Sequence, residues 1–143
     1  MLPGGATVVC IHVVGPDLRR SAAGPTSGEG TRMASVSTLA TAYENVLKEF
    51  DASGKKTLRL LPISGGIFAG PWLDEVPALT RDALSLACER LPPAVAVRLD
   101  EKKLELCLFL EHEWDDFRRV GFEPDPDAPS PATDEVERRC SVQ

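Results

Sequence analysis

The stretch Leu61-Pro62-Ile63-Ser64-Gly65-Gly66-Ile67-Phe68-Ala69-Gly70-Pro71 decides how this chain is read. A β-type run, Thr57 to Leu61, ends there in three glycines within six residues, and a helix-type run starts at about Asp74. Glycines between a strand and a helix let backbone N–H groups approach a ligand without interference from Cβ. The helix that follows adds the positive end of its dipole. That combination is the physics of an anion or phosphate cradle and needs no lysine. The same glycines also serve a plain tight turn, so the pattern admits both readings.

Working outward, Thr7-Val8-Val9-Cys10-Ile11-His12-Val13-Val14 reads as a strand stopped by Gly15-Pro16. Its near-continuous apolarity predicts a central strand covered on both faces. In that setting His12 is expected to be a satisfied core histidine. Cys10 and Cys107, both inside strand-like runs, are expected to be buried reduced thiols. From Asp17 to about Met33 the composition is that of a mobile loop, with Arg19, Arg20 and Arg32 as solvated charges within reach of an anionic ligand. Ser35 or Ser37 is expected to cap a helix whose apolar face is Val36, Leu39, Tyr43, Val46, Leu47 and Phe50, ending at Asp51-Ala52-Ser53-Gly54.

Downstream, a helix from about Asp74 to Leu91 shows the face Val76, Leu79, Ala83, Leu86, Ala87 and Leu91, and Pro92-Pro93 stops it. Ala94 to Leu99 reads as a short strand and Leu104 to Leu110 as another. Glu111 to Phe117 reads as a short helix whose acids and His112 form a solvated face, in a spacing that matches no established metal site. Beyond Val120 the Pro-, Asp- and Glu-rich residues read as a disordered tail. The expectation is an α/β domain over 1–120 with a mostly parallel sheet, followed by a tail over 121–143. Ligands in such folds sit at the carboxyl ends of strands, where the glycine loop falls.

Composition sets the bounds. The 143 residues allow one domain, and 43% hydrophobic with 27% charged residues describes a globular protein. A net charge of −6 argues against nucleic acid as the main partner. The four cysteines form no C-x-x-C pair, which removes the common zinc spacings, and no metal or cofactor is expected. No apolar run has transmembrane length and the first residues lack a basic, apolar leader, so a cytoplasmic location is expected.

Three of these segments resemble the macro domain family. Val9-Cys10-Ile11-His12-Val13-Val14-Gly15-Pro16 resembles that family's V-I-H-T-V-G-P strand. Ala42-Tyr43-Glu44-Asn45-Val46-Leu47 resembles its C-Y-x-N-x-L helix, and Leu61 to Pro71 resembles its P-A-I-S-T-G-I-F/Y-G-Y-P loop, in matching order and spacing. The resemblance implies a three-layer α/β/α fold with a mostly parallel central sheet and a ligand, ADP-ribose or an ADP-ribosylated protein. It implies that Ser64, Gly65, Gly66, Ile67 and Phe68 hold the diphosphate through backbone N–H groups, with Phe68 against the distal ribose. Gly65 stands where the family commonly has Thr, and Ala69-Gly70 replaces a Gly-aromatic pair, which loosens the expected ribose contact. Only the second half of the family pattern is matched, over residues ~7–117. The opening strands, the adenine-reading Asp, the Asn-Ala-Ala-Asn segment and the first glycine loop have no counterpart. The family's hydrolysis of ADP-ribosyl esters is accordingly expected to be weak or absent, and no catalytic residue is carried over. An uncovered sheet edge would favour self-association or a partner fragment. The alternative reading is a non-catalytic interaction remnant whose glycine loop is only structural.

Cys140-Ser141-Val142-Gln143 has the C-a-a-X form of a farnesylation signal at Cys140, which would add weak membrane association and imply a eukaryotic source. Ser141 and the acidic tail around it speak against that reading.

Overall fold

The computed structural model describes residues 8–20, 25 and 28–127. It is an α/β structure of mixed helices around a small two-stranded parallel sheet. Helix α1 spans Glu29–Ala52, strand β1 Thr57–Leu60, helix α2 Val76–Arg90, helix α3 Pro93–Leu99, strand β2 Lys103–Leu106 and helix α4 Glu111–Arg119. A 3₁₀ turn at Leu18–Arg20 precedes α1, and a 3₁₀ stretch, Ile67–Glu75, leads into α2.

α1 and α2 are the pair on which the core is built. All six residues of the expected α1 face are buried, and Leu79, Ala83 and Ala87 of α2 meet them together with Trp72 and Leu18. α1 starts earlier than a serine cap would allow. Its N-cap is Gly28, Glu29 sits favourably in the first turn, and Arg32 ties that turn to Asp82 of α2 at 2.7 Å. Ser35 therefore lies inside the helix and is buried.

β1 and β2 pair in parallel, Thr57 opposite Lys103 and Leu60 opposite Leu106. A parallel pair needs a crossover, which here is the glycine loop, α2 and α3. Glu105, almost wholly buried, is shared by Arg59 on β1 and by Lys103, which also reaches Asp125. A second apolar cluster (Ala69, Val76, Leu106, Leu108 and Phe117) covers the carboxyl end of the sheet.

Several expectations are overturned. Residues 8–14 form no strand and are not covered: Val8 is 71% and Val14 90% exposed. Cys10 and His12 are exposed rather than buried, and Cys107 is half-buried. A β-branched run has the propensity for a strand, but a strand also needs a ladder partner, and none adjoins it among the described residues. Residues 94–99 belong to helix α3, because Pro93 at its first position presets the helical φ and lacks only an N–H that would be unpaired there. β2 ends at Leu106, not Leu110, and α2 is entered through a 3₁₀ stretch, not directly at Asp74. Residues 121–127, read as the start of a tail, pack onto this body: the Phe122 ring lies 5.3 Å from that of Phe117, and Asp125 is buried. No helix among the described residues is long and apolar enough to cross a membrane.

Candidate functional site

The glycine loop leaves β1 at the carboxyl end of the sheet and is pinned from three sides. Ile63 N–H donates to the Tyr43 hydroxyl at 2.9 Å, anchoring the loop to α1. Tyr43 is fully buried, and burial pushes its hydroxyl up to about 12 against the lowering effects of Ile63 N–H and Thr80. Gly65 N–H closes a turn onto Pro62 O at 3.1 Å, with Ser64 in the left-handed region at φ 58°. Ser64 Oγ, in turn, donates to Pro16 O at 2.7 Å.

That last bond brings residues 15–19 against the loop. A Cβ on Gly15 would lie 2.5 Å from Ser64 Oγ. Gly70 has φ +55°, and a Cβ there would lie 2.9 Å from Arg19 Cα, so the Leu18–Arg20 turn rests directly on it. The Arg19 guanidinium is then held over the Phe68 ring, 5.2 Å from its centroid, and is paired with both oxygens of Asp17 at 2.8 Å. The Asp17 hydrogen bond and charge raise the pKa of Arg19 further.

The structure thus joins two segments that sequence separates by some fifty residues. Arg19, read from composition as solvated loop charge, is positioned at the loop. The signal for this was Gly15-Pro16, read as a strand stop and as the end of the V-I-H-T-V-G-P-like segment. Arg32 is instead committed to Asp82.

Of the five expected ligand-binding residues, Gly65 uses its N–H within the turn. The N–H groups of Ser64, Gly66, Ile67 and Phe68 have no acceptor among the described residues. Gly66 is exposed, Ile67 is 78% exposed, and Phe68 is half-buried. Four donors without an acceptor among the described residues, within five positions and beside an aromatic ring, suit a polyvalent anion attached to a flat or ring-shaped group, although the neighbouring Arg19 charge is already met by Asp17. Among the described residues no group of three or more metal-ligating side chains occurs. Cys140 lies outside the described residues. Comparison with protein-family models, with curated proteins and with solved structures gives no match to this chain.

Proposed function

We propose that this chain recognises ADP-ribose, free or attached to protein, through the loop over 63–70 as a macro-like three-layer α/β/α module. The observation that carries the reading is the set of N–H groups at Ser64, Gly66, Ile67 and Phe68 that have no acceptor among the described residues. In it the diphosphate accepts from these donors and the Phe68 ring lies against the distal ribose, with Arg19, already paired with Asp17, stacked over that ring. The role is binding, and no side chain is assigned a catalytic part.

A second reading, in which the loop is only structural, is favoured by Gly65 and Gly70. Both would meet backbone at 3.0 Å or less if given a Cβ, so packing alone accounts for them. Gly66 separates the two readings, because a Cβ there meets nothing within 4 Å. Packing does not account for that glycine, whereas a ligand seated on its N–H does.

Titration calorimetry of the wild-type chain and of Gly66→Glu with ADP-ribose is the test, with circular dichroism on both. The expected outcome is micromolar binding by the wild type and a loss of at least ~30-fold in the variant, about 2 kcal/mol, with stability unchanged within ~0.5 kcal/mol. A folded wild-type chain that ignores ADP-ribose, or equal binding by both, would leave the loop a structural turn.

A further inference from the structure

The segment that flanks the glycine loop already holds an anion of its own. Arg19 presents Nε and Nη2 side by side to Asp17 Oδ1 and Oδ2, both at 2.8 Å. That is the planar two-point geometry in which a guanidinium also takes two oxygens of a phosphate. Asp17 has a local task as well: its Oδ1 accepts the Arg19 N–H at 3.1 Å and closes the Leu18–Arg20 turn. One oxygen suffices for that. The contact with the guanidinium is additional to the turn. It leaves the charge of Arg19, stacked over Phe68 of the loop, answered from within its own segment.

The backbone beneath this pair is fixed, while the two side chains reach solvent. Leu18 is buried in the main core, a Cβ at Gly70 would lie 2.9 Å from Arg19 Cα, and Pro16 O accepts from Ser64 Oγ at 2.7 Å. By contrast, the Arg19 and Asp17 side chains are 47% and 28% exposed. With its Cα held, Arg19 can change partner by rotation of its side chain alone and stay beside Phe68. An exposed ion pair of this kind is weak and opens readily. Coulomb attraction scales with charge, so a doubly charged group arriving beside the guanidinium outcompetes a single carboxylate.

We propose that Asp17 masks an anion subsite: its carboxylate occupies the Arg19 fork until a phosphate group of a ligand seated on the loop takes its place. The inference rests on the loop reading above, because the loop brings the phosphate within reach, and it adds the residue that sets the affinity. The ligand class is a polyvalent phosphate. A simple carboxylate brings to the fork no more charge than Asp17 already does, and gains nothing by the exchange. With roughly one molecule in five unmasked at any moment, the apparent affinity lies about five-fold below that of the open site. Asp17 thus acts as an internal competitor, and Arg19 discriminates between anions by their charge.

The test is calorimetric titration of the full chain, of Asp17→Asn, of Arg19→Ala and of the double variant, with inorganic pyrophosphate and separately with ADP-ribose. Asparagine keeps an oxygen for the Arg19 N–H, so the turn persists, and circular dichroism checks the fold of each variant. Asp17→Asn is expected to bind both ligands about five-fold more tightly than wild type. The double variant is expected to bind no better than Arg19→Ala. A gain toward pyrophosphate without any binding of ADP-ribose would support the masking and remove the ADP-ribose reading. Binding by the wild type that Asp17→Asn leaves equal or weaker would overturn the masking and leave the loop reading standing. A gain that persists in the double variant would also overturn it, since removal of a negative charge, and not release of Arg19, would then be the cause. Folded variants that all ignore both ligands would overturn masking and loop reading together.

Discussion

Replacing Tyr43 by Phe removes one oxygen from the centre of the molecule and leaves the ring in place. The ring is fully buried, so no cavity opens and the apolar contacts with α2 and Trp72 persist. What is lost is the 2.9 Å bond from Ile63 N–H and the hydrogen bond with the buried Thr80 hydroxyl. Each net hydrogen bond contributes about 1 kcal/mol, and the half-buried Ile63 amide, left without its acceptor, adds up to about 1 more. The expected destabilisation is ~2–3 kcal/mol, or ~6–12 °C in melting temperature for a domain of this size. Urea unfolding followed by circular dichroism measures it. The exchange rate of the Ile63 amide should rise well beyond the global change, because the bond is the loop's anchor to α1. A loss below ~0.3 kcal/mol, with Ile63 exchange unaltered, would refute the idea that Tyr43 holds the loop.

The chain has a single tyrosine, so ultraviolet titration reads Tyr43 alone; ionisation near 12 rather than 10 is expected in the folded protein. The sign follows: a phenol whose folded value is raised contributes fully below pH 10 and loses its contribution between 10 and about 12, roughly 3 kcal/mol in all. Burial pushes Glu105 up, but hydrogen bonds from Arg59 and Lys103 outweigh it, and Asp125 is likewise lowered by Lys103. Their contribution is complete above the ordinary 4.5 and 3.8 and is lost as pH falls through the lower folded values. Glu105→Gln should therefore be ~1–2 kcal/mol less stable than wild type at pH 7, with the gap closing below pH ~4 in thermal melts. Gly70→Ala places a Cβ at φ +55° and 2.9 Å from Arg19 Cα; a loss of ~2 kcal/mol or more and faster tryptic cleavage after Arg19 are expected.

Where local signals agreed, the fold was legible from the residues alone. The helical spacing of Val36, Leu39, Tyr43 and Leu47 on α1, and of Leu79, Ala83 and Ala87 on α2, identified a core that is indeed buried. Residues 94–99 misled because a short run, apolar but for Arg98, suits a strand or a helix equally, and the proline before it was the better guide. The run over 8–14 misled for another reason: strand propensity is local, but pairing is not, and no pattern within the run reports whether a neighbour exists. The loop over 64–68 was visible through its glycines. Its second wall, Asp17 and Arg19, was not, since a charged residue in a Gly/Ser-rich segment carries no mark of what it will rest upon. Trp72, at the heart of the core, was overlooked because its 3₁₀ setting shows no helical period.

The parallel pairing of β1 with β2 also sets a timetable for synthesis. β1 leaves the ribosome roughly forty residues ahead of its partner. At about 5–20 residues per second, that leaves β1 without its ladder for about 2–8 s. A bare apolar strand would be open to pairing with other nascent chains for that interval. Lys55 and Lys56 directly before it and Arg59 within it keep the waiting strand hydrated and mutually repulsive. When Glu105 finally emerges, it meets the Arg59 charge that protected the strand while it waited, and the pair locks the sheet as it forms.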